Sequence, residues 1–118
     1  ENMNLQIIAN GVTFRTQLYD NPAAEAFREQ LPLTLSMSEL NGNEKYYYLP
    51  QSLPTDPYRP EQIQTGDLML FGSDCLVLFY ETFSTSYRYT PLGRVEDPAG
   101  LAQALGNGSV TVQFLLEE

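Results

Sequence analysis

The sequence predicts a mainly β fold: a closed or nearly closed antiparallel barrel capped by two short helices. Strand-length apolar segments are numerous, and the helical segments stand apart from one another. No strand–helix–strand alternation of the kind that builds a parallel sheet occurs. At 118 residues the chain fits one domain, 1–118, large enough for a single core and free of internal repeats.

Taken in order, Leu5 and Ile7 alternate ahead of Asn10-Gly11, and Val12 and Phe14 alternate after it. Asn-Gly between alternating segments is the strongest short-range hairpin signal. Asp20-Asn21-Pro22 opens a helix, because an Asx side chain caps free N–H groups and proline is tolerated in the first turn. Ala23, Phe27 and Leu31 then form one apolar stripe of a helix over 22–31, which Pro32 ends. Leu33, Leu35 and Met37 alternate with Thr34, Ser36 and Ser38, as on a half-exposed strand. The stretch Asn41 to Glu44 turns the chain into "KYYYLP", and an ordered loop follows with prolines at 50, 54, 57 and 60.

The run "GDLMLFGSDCLVLFYETF" reads as two strands around Gly72-Ser73-Asp74, and its near-continuous apolar character means that both faces are covered. "STSYRYTPLGRV" is a polar aromatic loop returning into a short strand. A second helix over 98–105 repeats the grammar of the first, with Asp97 as cap, Pro98 in the first turn and Gly106 as the stop. "SVTVQFLLE" closes the fold as a strand. Phe14, Leu35, Leu70, Leu78 and Val112 are the expected interior residues.

Fifteen acidic residues against six basic give a net charge of −9, with Lys45 the only lysine. Such a surface repels phosphate backbones and anionic lipid, so no nucleic-acid partner is expected; no apolar run is long enough for membrane insertion. The chain contains no histidine, no tryptophan and one cysteine. Cys75 therefore has no intrachain disulfide partner, lacks the usual partner of a nucleophilic thiolate, and reads as a small buried hydrophobe. Histidine-assisted serine catalysis and the usual Cys/His zinc sites are excluded. No acidic cluster has the spacing of a calcium loop, and no cofactor is expected. The chain begins Glu1-Asn2-Met3-Asn4, which fits a processed product as well as a start at Met3 behind a short tag remnant. Cytoplasmic and extracytoplasmic placement both stay open, and no pattern specifies an oligomeric state.

Three stretches carry a resemblance: "NGNEKYYYLP", "GDLMLFGSDCLVLFY" and "PLGRVEDPAGLAQAL". In this order and spacing they resemble the cyclophilin-like fold, and more closely a small bacterial and archaeal family of minimal cyclophilin-like proteins. "LGRV" and the helix after it are similar to the "FGRV" strand and last helix of true cyclophilins. The resemblance implies a barrel of about eight antiparallel strands, its interior filled by side chains and its ends closed by helices. True cyclophilins are peptidyl-prolyl isomerases that direct an arginine at the prolyl amide beside an aromatic pocket. In the strand that would carry that arginine this chain has Tyr46, Tyr47 and Tyr48, and the pocket tryptophan and histidine have no counterpart. Arg59 and Arg88 are the available substitutes, each expected to be an ordinary surface arginine.

The implied function is that of a non-catalytic cyclophilin-like domain that binds a peptide or small molecule on an aromatic barrel face. A weak isomerase with a rearranged site and an accessory interaction domain of a larger envelope or enzyme system are the alternatives. Candidate binding residues are Tyr46, Tyr48, Phe79, Tyr87, Arg88 and Tyr89, since tyrosine offers apolar contact with a polar tip at little entropic cost. Successive side chains on a strand face opposite ways, so Tyr47 and Leu49 are assigned inward and Tyr46 and Tyr48 outward. As an inward aromatic, Tyr47 is expected to cost ~3–5 kcal/mol on truncation to alanine.

Overall fold

The computed structural model describes residues 3–117. β1 (Asn4–Ala9) and β2 (Val12–Leu18) pair as the first hairpin, with Asn10 and Gly11 at φ of 48° and 77°. Positive φ at both turn positions matches the right-handed twist of the strands, and glycine supplies the second without steric cost. Leu5, Ile7 and Phe14 are buried, whereas Val12 at the rim is exposed.

α1 (Pro22–Arg28) starts as expected, the Asn21 side chain accepting from the Ala24 N–H at 2.7 Å. It is shorter than the expected 22–31. After Arg28 the chain tightens into turns, with Gln30 N–H donating to the Phe27 carbonyl and Leu31 N–H to that of Arg28. That tightening satisfies terminal carbonyls just ahead of a proline. Phe27 enters the barrel and meets Phe114 edge-on at 5.7 Å between centroids.

The remaining elements are β3 (Leu33–Leu40), β4 (Glu44–Tyr48), β5 (Gln62–Ile63), β6 (Asp67–Phe71), β7 (Cys75–Phe79), β8 (Phe83–Ser84), β9 (Thr90–Val95), α2 (Leu101–Leu105) and β10 (Val110–Leu116). Eight strands close a barrel in the order β1, β10, β3, β4, β7, β6, β9, β2, and every pairing is antiparallel. Closure leaves no unpaired edge among them. Phe14, Leu35, Leu70, Leu78 and Val112 all lie in the main core. Where β9 meets β2, Gly93 is packed so closely that a Cβ there would stand 2.5 Å from the Gln17 carbonyl oxygen.

α2 is also shorter than its expected span of 98–105. Asp97 accepts from the Ala99 N–H at 3.2 Å and so caps a tight turn, and the helix proper begins after Gly100 at φ of 84°. Gly106, at φ of 74°, ends it as expected. α1 follows the Leu18 end of β2, whereas α2 sits at the Asn10 end, where the Asn10 side chain donates to the Ala104 carbonyl at 2.6 Å. The helices therefore close opposite ends of the barrel.

Lys45 completes the second closure. Its side chain is 0% exposed, and its ammonium donates to the Glu39 carboxylate at 2.8 Å and to the carbonyls of Gly106 and Gly108 at 2.8 and 2.7 Å. The Tyr80 hydroxyl donates to the same Glu39 oxygen at 2.7 Å, and the Tyr80 ring lies beneath the ammonium. Burial opposes ionisation of Glu39, but hydrogen bonds from Lys45, Tyr80 and the Gly42 amide overcome it and hold the carboxyl below its ordinary range. All three ammonium donors are satisfied, the condition for burying such a charge.

A second apolar cluster lies outside the barrel, over β6 and β7. It consists of Ile63, Met69, Cys75, Val77, Phe79 and Tyr89, with Tyr46 and Phe83 packed against it. The flap formed by β5 and β8, together with the proline-rich loop, covers it; Tyr58 and Tyr89 exchange backbone hydrogen bonds of 3.0 Å across that loop. This outer cluster is why the two strands read as continuous apolar runs: every residue of β7 is buried.

Candidate functional site

β4 presents two faces that follow directly from its alternation. Lys45, Tyr47 and Leu49 turn inward, and Tyr47 packs, partly buried, against the main core. Glu44, Tyr46 and Tyr48 occupy the other face. The register across β4, β7 and β6 sets these outer residues in rows: Tyr48 opposite Cys75 opposite Phe71, Tyr46 opposite Val77 opposite Met69, and Glu44 opposite Phe79. Tyr87 and Tyr89, from the segment entering β9, lie along the same face.

Together these residues enclose a pocket of about 410 Å³, lined by Glu44, Tyr46, Tyr48, Phe71, Cys75, Val77, Tyr87 and Tyr89, with Leu40 and Asn41 at its edge. Its walls are aromatic. Tyr46 and Tyr48 meet edge-on at 5.9 Å on one side, and Phe71 stands 5.8 Å from Tyr87 and 5.7 Å from Tyr89 on the other. Tyr48 and Tyr87 are 64% and 62% exposed, so the walls open to solvent. Buried Cys75 and Val77 of β7 form the floor.

Glu44 is the one ionisable carboxylate in the lining. It is only 9% exposed, and it makes no hydrogen bond or ion pair among the described residues. Burial, reinforced by the nearby Glu39 charge, raises its pKa to about 7. Burial likewise pushes the Cys75 thiol up to about 11, helped by Glu44 and Asp74. A thiol so displaced stays protonated at neutral pH and is a poor nucleophile. The Tyr48 phenol is raised by Cys75, and that of Tyr89 by burial and then by Glu44.

Of the residues singled out from the sequence, Tyr46, Tyr48, Tyr87 and Tyr89 converge on this pocket. Phe79 is fully buried and supports it from below, 5.4 Å from Tyr89 and 5.6 Å from Phe83. Arg88 is exposed and contributes nothing to the lining, and Arg59 is exposed on the proline-rich loop. Sequence reasoning missed Glu44 and Phe71. The first was legible, since Glu44, Tyr46 and Tyr48 stand at alternate positions of one strand. The second follows from pairing the strands around Gly72-Ser73-Asp74, which sets Phe71 beside Cys75.

Two other depressions are less specific. One of about 320 Å³ lies between Asn21–Ala23 and Pro54–Asp56, and one of about 460 Å³ is lined by mainly polar residues around Asp67 and Arg94. No group of three or more Cys, Asp or Glu able to hold a metal occurs among the described residues, and none of their helices is long and apolar enough to cross a membrane.

Comparison with known proteins agrees with the fold. A solution structure of a hypothetical protein from Archaeoglobus fulgidus, AF2241, superposes with a TM-score of 0.62 at 16% identity, covering 98% of this chain and 95% of that one. No curated protein matches the chain. The model of the Cyclophilin-like family matches residues 7–115. With its closed eight-stranded barrel and a family match over almost its entire length, the chain belongs to the cyclophilin-like family.

Proposed function

We propose that this is a binding domain that captures a peptide side chain or small molecule in the aromatic pocket on the outer face of β4, β7 and β6. The observation that supports the reading is the convergence of five aromatic rings, two of them largely exposed tyrosines, on one cavity of about 410 Å³. Aromatic walls with a few polar groups are the usual make-up of a small-ligand site. The lining also favours binding over isomerisation. Lowering an amide rotation barrier of ~20 kcal/mol calls for a charged donor aimed at the prolyl amide, and neither arginine nor lysine lines the pocket.

A titration of ¹⁵N-labelled protein with benzyl alcohol, benzylamine and N-acetylprolinamide tests the reading. Shifts concentrated on the amides of Tyr46, Tyr48, Phe71, Cys75, Val77 and Tyr89 support it. Shifts that scatter over the barrel, or that centre on the depression around Asp67 and Arg94, refute it.

A further inference from the structure

The pocket holds a carboxyl that has no partner among the described residues. Glu44 is nine-tenths buried, and Lys45, the neighbouring cation, is committed on the opposite face of β4 to Glu39 and to the carbonyls of Gly106 and Gly108. A buried carboxylate with no donor is costly. It lines the same cavity as the rings of Tyr46, Tyr48, Phe71, Tyr87 and Tyr89, and aromatic π faces attract cations. No arginine or lysine lines the cavity, and the net charge of −9 draws cations toward the surface as a whole.

We propose that the pocket recognises an alkylated ammonium group, of the trimethylammonium type, seated against the aromatic walls with its charge toward Glu44. This rests on the pocket being a binding site, as argued above, and adds the chemical class of what it binds. A primary ammonium or a guanidinium carries three or five N–H donors that need acceptors, whereas a permethylated ammonium carries none. A cavity walled by rings, with a single carboxylate, suits the latter.

On the face of Glu44 the titratable groups are Cys75 on β7, Tyr87 and Tyr89 beside β9, and Tyr46 and Tyr48 on its own strand, while Glu39 on β3 and Tyr80 just beyond β7 act on it from the opposite face, where Lys45 is bonded to Glu39. No group on the face of Glu44 is a cation. Cys75 and Tyr80 are displaced upward to about 11 and about 12, and Glu39 is displaced downward. A change of affinity between mildly acidic and mildly basic pH therefore reports Glu44.

The test is NMR titration of the full chain with choline and with 3,3-dimethylbutan-1-ol, a neutral molecule of the same shape. At about pH 8 choline is expected to bind at least about tenfold more tightly, shifting the amides of Tyr46, Tyr48, Cys75 and Val77. Glu44→Gln, or acidification to about pH 5.5, should remove about tenfold of the choline affinity and leave the alcohol unaffected. Equal affinity for choline and the alcohol overturns the inference while leaving an apolar binding pocket in place. Tighter binding of N-acetylargininamide than of choline overturns the choice of an alkylated ammonium. Failure of choline to move the pocket amides overturns the inference as well, and the neutral and aromatic probes then decide separately whether the pocket binds anything.

Discussion

Replacing Glu44 by glutamine removes a charge that folding partly desolvates in the pocket, so the substitution should stabilise the protein, and only at pH values where that charge exists. Folding raises the carboxyl from 4.5 to about 7. Below about pH 4.5 the group is protonated in both states and imposes no penalty. As pH rises toward 7 the unfolded chain releases its proton while the folded chain keeps it, so parent stability falls; above about 7 the penalty is complete. At 1.36 kcal/mol per pKa unit the rise to about 7 sets an upper bound of about 3 kcal/mol, which water reaching the carboxyl through the open pocket lowers. For a chain of 118 residues that bound is roughly 10 °C in melting temperature. Parent and Glu44→Gln should be melted side by side at about pH 4.5 and about pH 8; the other carboxylates cancel in the difference. The two should coincide under acid conditions and separate under basic ones. A constant difference across that range, or a variant that is the less stable at about pH 8, would refute the electrostatic account of Glu44.

Lys45→Met should destabilise the chain by about 3–5 kcal/mol in urea unfolding, because Glu39 loses its counter-ion and the Gly106 and Gly108 carbonyls lose their donor; an unchanged midpoint would show that the ammonium does not hold that end of the barrel. Tyr47→Ala should cost about 2–3 kcal/mol, less than a fully buried aromatic, whereas Tyr48→Ala should melt like the parent because its ring is largely exposed. A collapse of the Tyr48 variant with a normal Tyr47 variant would invert the assignment of faces. In a proline-tetrapeptide assay the protein should not accelerate X-Pro isomerisation, since no arginine lines the pocket. Turnover abolished by Arg59→Ala or Arg88→Ala would overturn that expectation.

Local chemistry made much of the barrel legible. Asn10-Gly11 demands one kind of turn and the alternation after it sends Phe14 inward, while the separate alternation of Leu33, Leu35 and Met37 sends Leu35 inward. The helix ends were less accurate, because Asp97 has an equally good local use in capping a turn, and only packing decides where α2 begins. The flap was not legible at all. Strands of two residues, Gln62–Ile63 and Phe83–Ser84, carry no periodicity, and they exist because Ile63 and Phe83 cover the outer face of β7. Arg88 lies outside the pocket lining for a related reason: its place between Tyr87 and Tyr89 describes the sequence, whereas a loop residue's direction is set by what the flanking rings pack against.

The three adjacent tyrosines make sense once Glu44 and Lys45 are added to them. A strand sends neighbouring side chains to opposite faces, so these two opposite charges, adjacent in sequence, cannot neutralise one another. Lys45 goes inward, where a carboxylate and two carbonyls at the barrel end satisfy it completely. Glu44 goes outward, into the pocket it shares with Tyr46, where no donor among the described residues meets it. Had Glu44 only to fill space, glutamine or leucine would do so without the ionisation penalty. The same short strand thus closes the barrel with its inner face and, with its outer face, sets an unmatched carboxyl in an aromatic-lined pocket. A carboxyl held there at a cost to stability would serve the alkylated ammonium proposed above, and the melting and choline experiments test the cost and the guest independently.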